Sequence, residues 1–196
     1  SESERPLIYA GGGVINANAA KPMRRLANEY GIPVTTTLMA LGASDTQHPL
    51  ALHMLGMHGI ASANYAVEDC DFLVAIGARF DDRVAGNPGQ FAPRAKNIAH
   101  FDVDFAEIGK VKRVNWHHVG MLERDLTDML AYGKRIGFEK DFKAWHDEIA
   151  HLKQEYCLNY DRDSDLIQPY AVIEEVNRHS KGEAIISTGV GQHQMW

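Results

Sequence analysis

The apolar run Phe72-Leu73-Val74-Ala75-Ile76 passes through Gly77-Ala78 straight into Arg79-Phe80-Asp81-Asp82-Arg83. Strands buried on both faces read as unbroken apolar runs, and ligands of open α/β sheets sit beyond the strands' carboxyl ends. This run therefore commits the chain to a sheet covered on both sides. A glycine and two arginines at that edge suit an anionic ligand, above all a phosphate-bearing cofactor, because the guanidinium fork matches phosphate oxygens bidentately. Asp81 and Asp82 either orient those forks or accept hydroxyl hydrogens from a ribose or ribityl group. The competing reading is a strand followed by a self-neutralising surface cluster.

The rest of the chain repeats the theme. Residues 6–10 read as a strand running into Gly11-Gly12-Gly13, and Asn16 or Asn18 is placed to cap a helix over 19–30. Gly31 stops that helix and 33–36 form a second, β-branched strand. Residues 38–58 read as a long ordered loop with a helical turn. A helix over 59–67, the strand 72–76, strands at 97–101 and 115–119 and a helix over 122–132 follow. Strand and helix in repetition predict a doubly wound parallel sheet, an α/β/α sandwich of three layers.

Composition shifts after Gly133. Residues 138–155 form a charged amphipathic helix with Phe142, Trp145, Ile149 and Leu152 at helical spacing, and 156–165 an aromatic, acidic connector. A helix over 168–179 has Pro169 in its first turn. A strand over 184–187 then leads into Gly189-Val190-Gly191-Gln192-His193-Gln194-Met195-Trp196. A glycine-rich loop after a strand is where a site should continue, so the chain is expected to be a piece of a longer one. The boundaries expected are a central α/β domain at 1–135, a helical linker at 136–167 and the start of a further domain at 168–196.

The 196 residues, 45% hydrophobic, suffice for a core, and the 20 Lys and Arg are scattered under a net charge of −6. That leaves no basic face for nucleic acid or membrane. No apolar run approaches the roughly 18 residues of a membrane span. Cys70 and Cys157 make neither a disulfide framework nor a metal knuckle. A reducing, cytoplasmic compartment fits, with an organelle left open if an upstream targeting segment has been removed.

Gly11-Gly12-Gly13 is not the G-x-G-x-x-G fingerprint, and the acidic ribose ligand expected about 20 residues downstream is missing. The glycines either admit a cofactor to the backbone or simply make a tight turn. Asp102 and Asp104 either meet a ligand at the same sheet edge or cap the turn towards Ile108. The spacing of His48, His53 and His58 does not place them on one helical face, and His117-His118 point to opposite faces of a strand. Leu55-Gly56-Met57-His58-Gly59 reads instead as an apolar and imidazole surface for an organic cofactor. No Ser-His-Asp or Cys-His arrangement emerges, and Cys70 reads as a core residue.

Several runs together resemble the acetohydroxyacid synthase (acetolactate synthase) family of thiamin-diphosphate enzymes: YAGGG at 9–13, PVTTTLMALG at 33–42, HPLALHMLGMHG at 48–59, ANYA at 63–66, GARFDDRVAG at 77–86, HFDVDFAEIG at 100–109 and VGQHQMW at 190–196. The resemblance implies a Rossmann-like central domain and the start of the C-terminal domain of a three-domain catalytic chain. It implies FAD, without net redox role, around Gly11, Gly12, Thr37, Leu38, Leu55, Met57, His58, Gly77, Ala78, Arg79, Asp81, Arg83, Asp102 and Val103. Gly191, Gln192 and His193 match the family's first contacts to thiamin diphosphate. The family decarboxylates pyruvate and joins the two-carbon unit to a second 2-keto acid, pyruvate or 2-ketobutyrate, in branched-chain amino-acid synthesis.

The family's activating glutamate, in a neighbouring subunit's N-terminal domain, and its Mg²⁺ and diphosphate motif lie outside this sequence. No catalytic residue or metal ligand is therefore assigned within it, and the piece alone is expected to be inactive. The expected partners are the other domains, a homodimer or homotetramer of the catalytic subunit, a small regulatory subunit and 2-keto acid substrates. Two departures stand out: Gly189 where the family has aspartate, and Gly120-Met121 where it has glycine-aspartate. The rival readings are a ligand-free scaffold domain and an NAD-dependent oxidoreductase, the latter disfavoured by the missing fingerprint.

Overall fold

The structure, a computed structural model, describes residues 2–195. The chain divides into two compact units, Ser1–Tyr156 and Cys157–Trp196.

The first unit is a six-stranded parallel sheet: β1 (Pro6–Ala10), β2 (Val34–Thr36), β3 (Ala51–Met54), β4 (Phe72–Ile76), β5 (Asn97–Asp102) and β6 (Trp116–Val119). The spatial order is β3-β2-β1-β4-β5-β6, the doubly wound order with its switch point between β1 and β4. The expected fold class is the one observed. All of β1 is buried, and β4 pairs with it from Pro6↔Phe72 to Ala10↔Ile76. Alternate residues face opposite layers. Leu7, Tyr9, Leu73, Ala75 and Ile98 pack with helices α3 (Ala61–Asp69) and α6 (Lys143–Glu155). Ile8, Ala10, Val74, Ile76, Ala99 and Phe101 pack with α2 (Ala20–Tyr30) and α5 (Leu122–Arg135). Short helices α1 (Gly13–Asn16) and α4 (Asp82–Ala85) follow β1 and β4.

Helix α6 is bound into this unit by Trp145, which is buried and donates its Nε1–H to the Pro6 carbonyl at 3.0 Å. Arg5 lies over the same indole, 5.6 Å from its centroid, and pairs with Glu148 at 2.9 Å. Cys70 ends α3 inside the core, where burial, with Asp71 and Asp69 nearby, pushes its thiol up to about 12.

Four sequence expectations need correction. Within 38–58 there is a 3₁₀ turn at Leu38–Ala40, but also β3, which has no β-branched residue. Pairing with β2 holds it on one side, with a register shift and His53 at φ +59. On the other, Lys153 of α6 donates to the carbonyls of Pro49 and Ala51 at 2.9 and 3.0 Å, closing an edge that would otherwise be open. Neither Asn16 nor Asn18 caps α2: the helix starts after Ala19, and Asn18 takes a left-handed turn at φ +53. Helix α6 begins at Lys143 rather than at 138, because Phe138 leaves the helical path to pack edge-on against Tyr30 at 5.3 Å.

The second unit contains α7 (Pro169–Ser180), with Pro169 in its first turn and Lys181 left-handed at its end. Arg162 grips Glu174 with two hydrogen bonds of 2.8 Å, and Tyr160 donates to the same carboxylate at 2.7 Å, holding Glu174 down at about 2. The strand expected at 184–187 is absent; these residues are exposed coil. The described residues of this unit contain no strand to complete a ladder, and an unpaired strand is not stable in water.

Candidate functional site

Each loop leaving a strand at the carboxyl edge is tied to its neighbour's backbone. Gly11 N donates to Ile76 O (2.9 Å), Gly77 N to Phe101 O (2.8 Å), Thr37 N to Ala10 O (2.9 Å), Leu55 N to Thr36 O (3.2 Å) and Gly120 N to Asp102 O (3.1 Å). The result is a continuous rim across all six strand ends. The residues from Gly11 to Val103 that the family resemblance places around FAD all come from loops or ends of five adjacent strands on this rim.

The glycines at its centre face each other. A Cβ on Gly11 would lie 2.1 Å from Gly77 O, and one on Gly13 would lie 2.7 Å from Gly77 Cα. Gly77 itself has φ +56. Gly11 and Gly13 thus let β1 and β4 close backbone to backbone at the switch point. Gly12 faces Met39, whose Cβ a new methyl would meet at 2.9 Å.

Two further loops interlock. Met57 N donates to Arg83 O at 2.8 Å, and a Cβ on Gly56 would lie 2.7 Å from that oxygen. The Asn64 amide clamps Gly56 from both sides, accepting from its N–H at 2.8 Å and donating to its carbonyl at 3.1 Å. The Met57–His58 loop and the turn carrying Arg83 are therefore one piece of structure.

The charged residues divide. Arg79 pairs with Asp81 at 2.9 Å while both stay largely exposed, an arrangement worth little in water. Arg83 donates only weakly, to Met57 Sδ at 3.7 Å, and Asp82 caps Arg83's own amide at 3.0 Å. Asp102 is buried; its Oδ1 accepts from Asp104 N at 3.0 Å and its Oδ2 lies 3.7 Å from His100 Nε2. Asp104 takes the capping role, accepting from Ala106 N at 2.8 Å.

Around these charges the rim is apolar and open. Leu38, Met39, Met57, Val103, Phe105 and Met121 are each about two-thirds exposed. Thr37 Oγ1 is buried there without a hydrogen-bond partner in the described structure. Flat apolar surface, two guanidinium groups and an orphaned hydroxyl are what an amphipathic, phosphate-bearing organic molecule would engage.

Sequence reasoning missed His100. Fully buried on β5, it reaches Ala78 O at 2.8 Å and packs against Phe80. Its signal was a lone imidazole inside the apolar run Ile98-Ala99-His100-Phe101.

The other histidines do not converge: among the described residues no group of three His, Cys, Asp or Glu is placed to hold a metal ion. His48 accepts from Leu50 N at 3.2 Å, and His118 pairs with Asp125 at 3.2 Å. Beside that pair Gly120 is tightly fitted, since a Cβ there would meet Asp125 Oδ2 and His118 Nε2 at 2.6 Å. Met121 follows, exposed. Gly191, Gln192 and His193 lie in the second unit, exposed, with His193 Nε2 2.8 Å from Gly189 O; Trp196 lies outside the described residues.

A second concavity, about 1010 Å³, opens between β5, β6, α2 and α5 and includes Phe101, Trp116 and Met129. Part of its polar wall is committed: Asp71 accepts from Ser3 and from the amides of Glu4 and Arg5, and Asn115 accepts from Ile98 N, while Asp125 Oδ2 is buried there without a hydrogen-bond partner in the described structure. The rim carries two exposed guanidinium groups, Arg79 and Arg83, and is the better match to a phosphate-bearing ligand. No helix among the described residues is long and apolar enough to cross a membrane.

Residues 1–129 match the family model described as thiamine pyrophosphate enzyme, central domain. The whole chain is 48% identical over 197 aligned residues to "Acetolactate synthase 1, chloroplastic" of Zea mays, covering 30% of that protein. It is 46% identical over 197 residues to "Acetolactate synthase large subunit" of Corynebacterium glutamicum, covering 31% of it. Against the protein of the same name from Parasynechococcus marenigrum identity is 45% over 195 residues, again the whole chain and 31% of the relative. The chain thus spans about 30% of the length of the curated relatives it matches.

Proposed function

The chain belongs to the thiamine pyrophosphate enzyme family, as its central domain, and on that premise we propose that it is the FAD-carrying part of an acetolactate synthase. The observation that carries this reading is the rim: exposed apolar side chains and two arginines gathered at the β1/β4 switch point. Arg79 and Arg83 would take the diphosphate and Asp81 and Asp102 the hydroxyls. Gly12, Thr37, Leu38, Leu55, Met57, His58, Ala78 and Val103 would line the rings and the chain between them, with Gly11 and Gly77 as the seam beneath. The orphaned Thr37 Oγ1 supports the fit, since a ligand acceptor or donor would satisfy it.

In the whole protein, thiamin diphosphate with Mg²⁺ supplies the carbon–carbon chemistry by which pyruvate is decarboxylated and its two-carbon unit joined to a second 2-keto acid. This chain's residues bind and position; FAD makes no net redox contribution. The division proposed is a central domain at 1–135, a linker at 136–167 and the start of the thiamin-diphosphate domain from 168, where Gly191, Gln192 and His193 would make first contacts. The stretch by itself is inactive. Its partners are the remaining domains, further copies of the catalytic subunit and a small regulatory subunit. The plant relatives are named chloroplastic and the bacterial ones carry no location in their names, so a plastid or a bacterial cytoplasm goes with the reading.

The test is FAD titration by flavin fluorescence. Arg79→Ala with Arg83→Ala should weaken binding tenfold or more, since each charge-assisted hydrogen bond is worth about 1.5–3 kcal/mol. Lys143→Ala, on the exposed face of α6, should change it less than about twofold. Equal losses refute the site. Absence of FAD binding alongside intact self-association would favour the scaffold reading, which the existing Arg79–Asp81 pair already suits.

A further inference from the structure

Both residues flanking Arg79 are held by one buried side chain. His100 is fully buried, and its Nε2 lies 2.8 Å from the Ala78 carbonyl. A carbonyl only accepts, so Nε2 carries a proton and donates; in the neutral ring that burial favours, Nδ1 is then unprotonated. Nδ1 is buried with no hydrogen-bond partner in the described structure. On the other side of Arg79, the Phe80 ring meets the imidazole edge to face, centroids 5.2 Å apart and planes at 89°.

Phe80 has φ +58, a left-handed conformation that a bulky side chain keeps only where its surroundings over-determine it. Here the surroundings are Tyr9 at 5.3 Å, Phe91 at 5.9 Å and His100. Two positive-φ residues, Gly77 and Phe80, thus bracket a four-residue turn. The His100 ring touches it on both sides of the arginine, at the Ala78 carbonyl and at the Phe80 ring. Asp102 Oδ2 comes within 3.7 Å of the same Nε2, so the β5 end of the rim and the Arg79 turn meet at one ring.

The Arg79 side chain is 63% exposed and its ion-pair partner, Asp81, is also on the surface. An exposed pair of this kind holds a guanidinium only loosely, so its direction depends on the backbone beneath it. We propose that His100 is the positioning residue of this rim: by gripping the Ala78 carbonyl and the strained Phe80, it sets the direction in which Arg79 offers its fork to a diphosphate. The inference rests on the rim being the FAD site.

The test is a double-mutant cycle on FAD affinity in the full-length protein, because a residue that acts through Arg79 loses its effect once Arg79 is gone. His100→Leu alone should weaken FAD binding about tenfold. His100→Gln, whose side-chain amide can still donate to Ala78 O, should stay within about threefold of the parent. In an Arg79→Ala background, His100→Leu should change affinity by less than about twofold. Equal loss in both backgrounds would mark His100 as ordinary scaffold and overturn the proposal, as would no loss at all or a glutamine variant as weak as leucine. Should the leucine variant fail to fold, His100→Asn, too short to reach the carbonyl, replaces it in the same cycle with the same outcomes. A parent protein that binds no FAD overturns the site reading itself, a result seen before any variant is compared.

Discussion

Replacing Gly11 by alanine would test the seam on which the rim is built. The new Cβ would lie 2.1 Å from Gly77 O, 2.5 Å from Ala78 Cα and 2.7 Å from Gly77 C, where ordinary contact begins at 3.4 Å. All three are backbone atoms, so no change of rotamer relieves the overlap. Nor can β4 step aside cheaply, because it is paired with β1 along its whole length and Gly11 N itself bonds Ile76 O at 2.9 Å. The cost should therefore reach the upper end of overpacking penalties, about 3 kcal/mol. At about 2–4 °C per kcal/mol for a chain of this size, the melting temperature should fall by about 6–12 °C. Gly89→Ala is the control: its Cβ meets only the Asn87 side chain, at 3.3 Å, and should shift stability by less than about 0.5 kcal/mol. Scanning calorimetry of parent and both variants in one buffer decides it. A Gly11→Ala protein melting within about 2 °C of the parent would refute the backbone-to-backbone seam.

Trp145→Phe keeps most of the buried ring but strands the Pro6 carbonyl, which the indole N–H now serves at 3.0 Å; a loss of about 1–3 kcal/mol should appear as a lower urea midpoint at unchanged slope. Burial holds the His100 pKa below the ordinary histidine value, with His117 adding to this and Ala78 O, Asp102 and Glu107 opposing it; burial and then Lys153 lower His53 likewise. The unfolded chain thus takes up protons near pH 6.5 that the folded chain refuses, so stability should fall as pH drops below about 6.5 and level off beneath the folded values. Urea midpoints measured across that range should show the slope and His100→Gln should flatten it; a midpoint that rises towards acid contradicts the assignment.

What the sequence disclosed followed burial. The runs at 6–10 and 72–76 matched β1 and β4 because strands covered on both faces leave an unbroken apolar signature. Strand β3 escaped notice since Ala51-Leu52-His53-Met54 carries little intrinsic preference; it is held by β2 and by an ammonium group about a hundred residues away. The reverse error came at 184–187, where Ile185-Ile186 looked like a strand, but a strand is a property of a pair. At the rim, charge and glycine content were legible, while the Gly11–Gly77 contact was not, being a meeting of two backbones distant in sequence. His100 was written in plain sight, but its worth lies in Ala78 and Phe80, and only the turn at φ +58 reveals that.

The bond from Trp145 to Pro6 spans 139 residues, and it seals the first strand of the sheet, one of the central pair. During synthesis at about 5–20 residues per second, that strand is made about 7–28 s before the indole that covers its start. Over that interval Pro6–Ala10 is an apolar segment with its closing partner still unmade, and β2, β3 and β4 emerge into the gap one after another. The start of β1 therefore still lacks its indole cover when the other five strands have been made, and gains it only when α6 arrives.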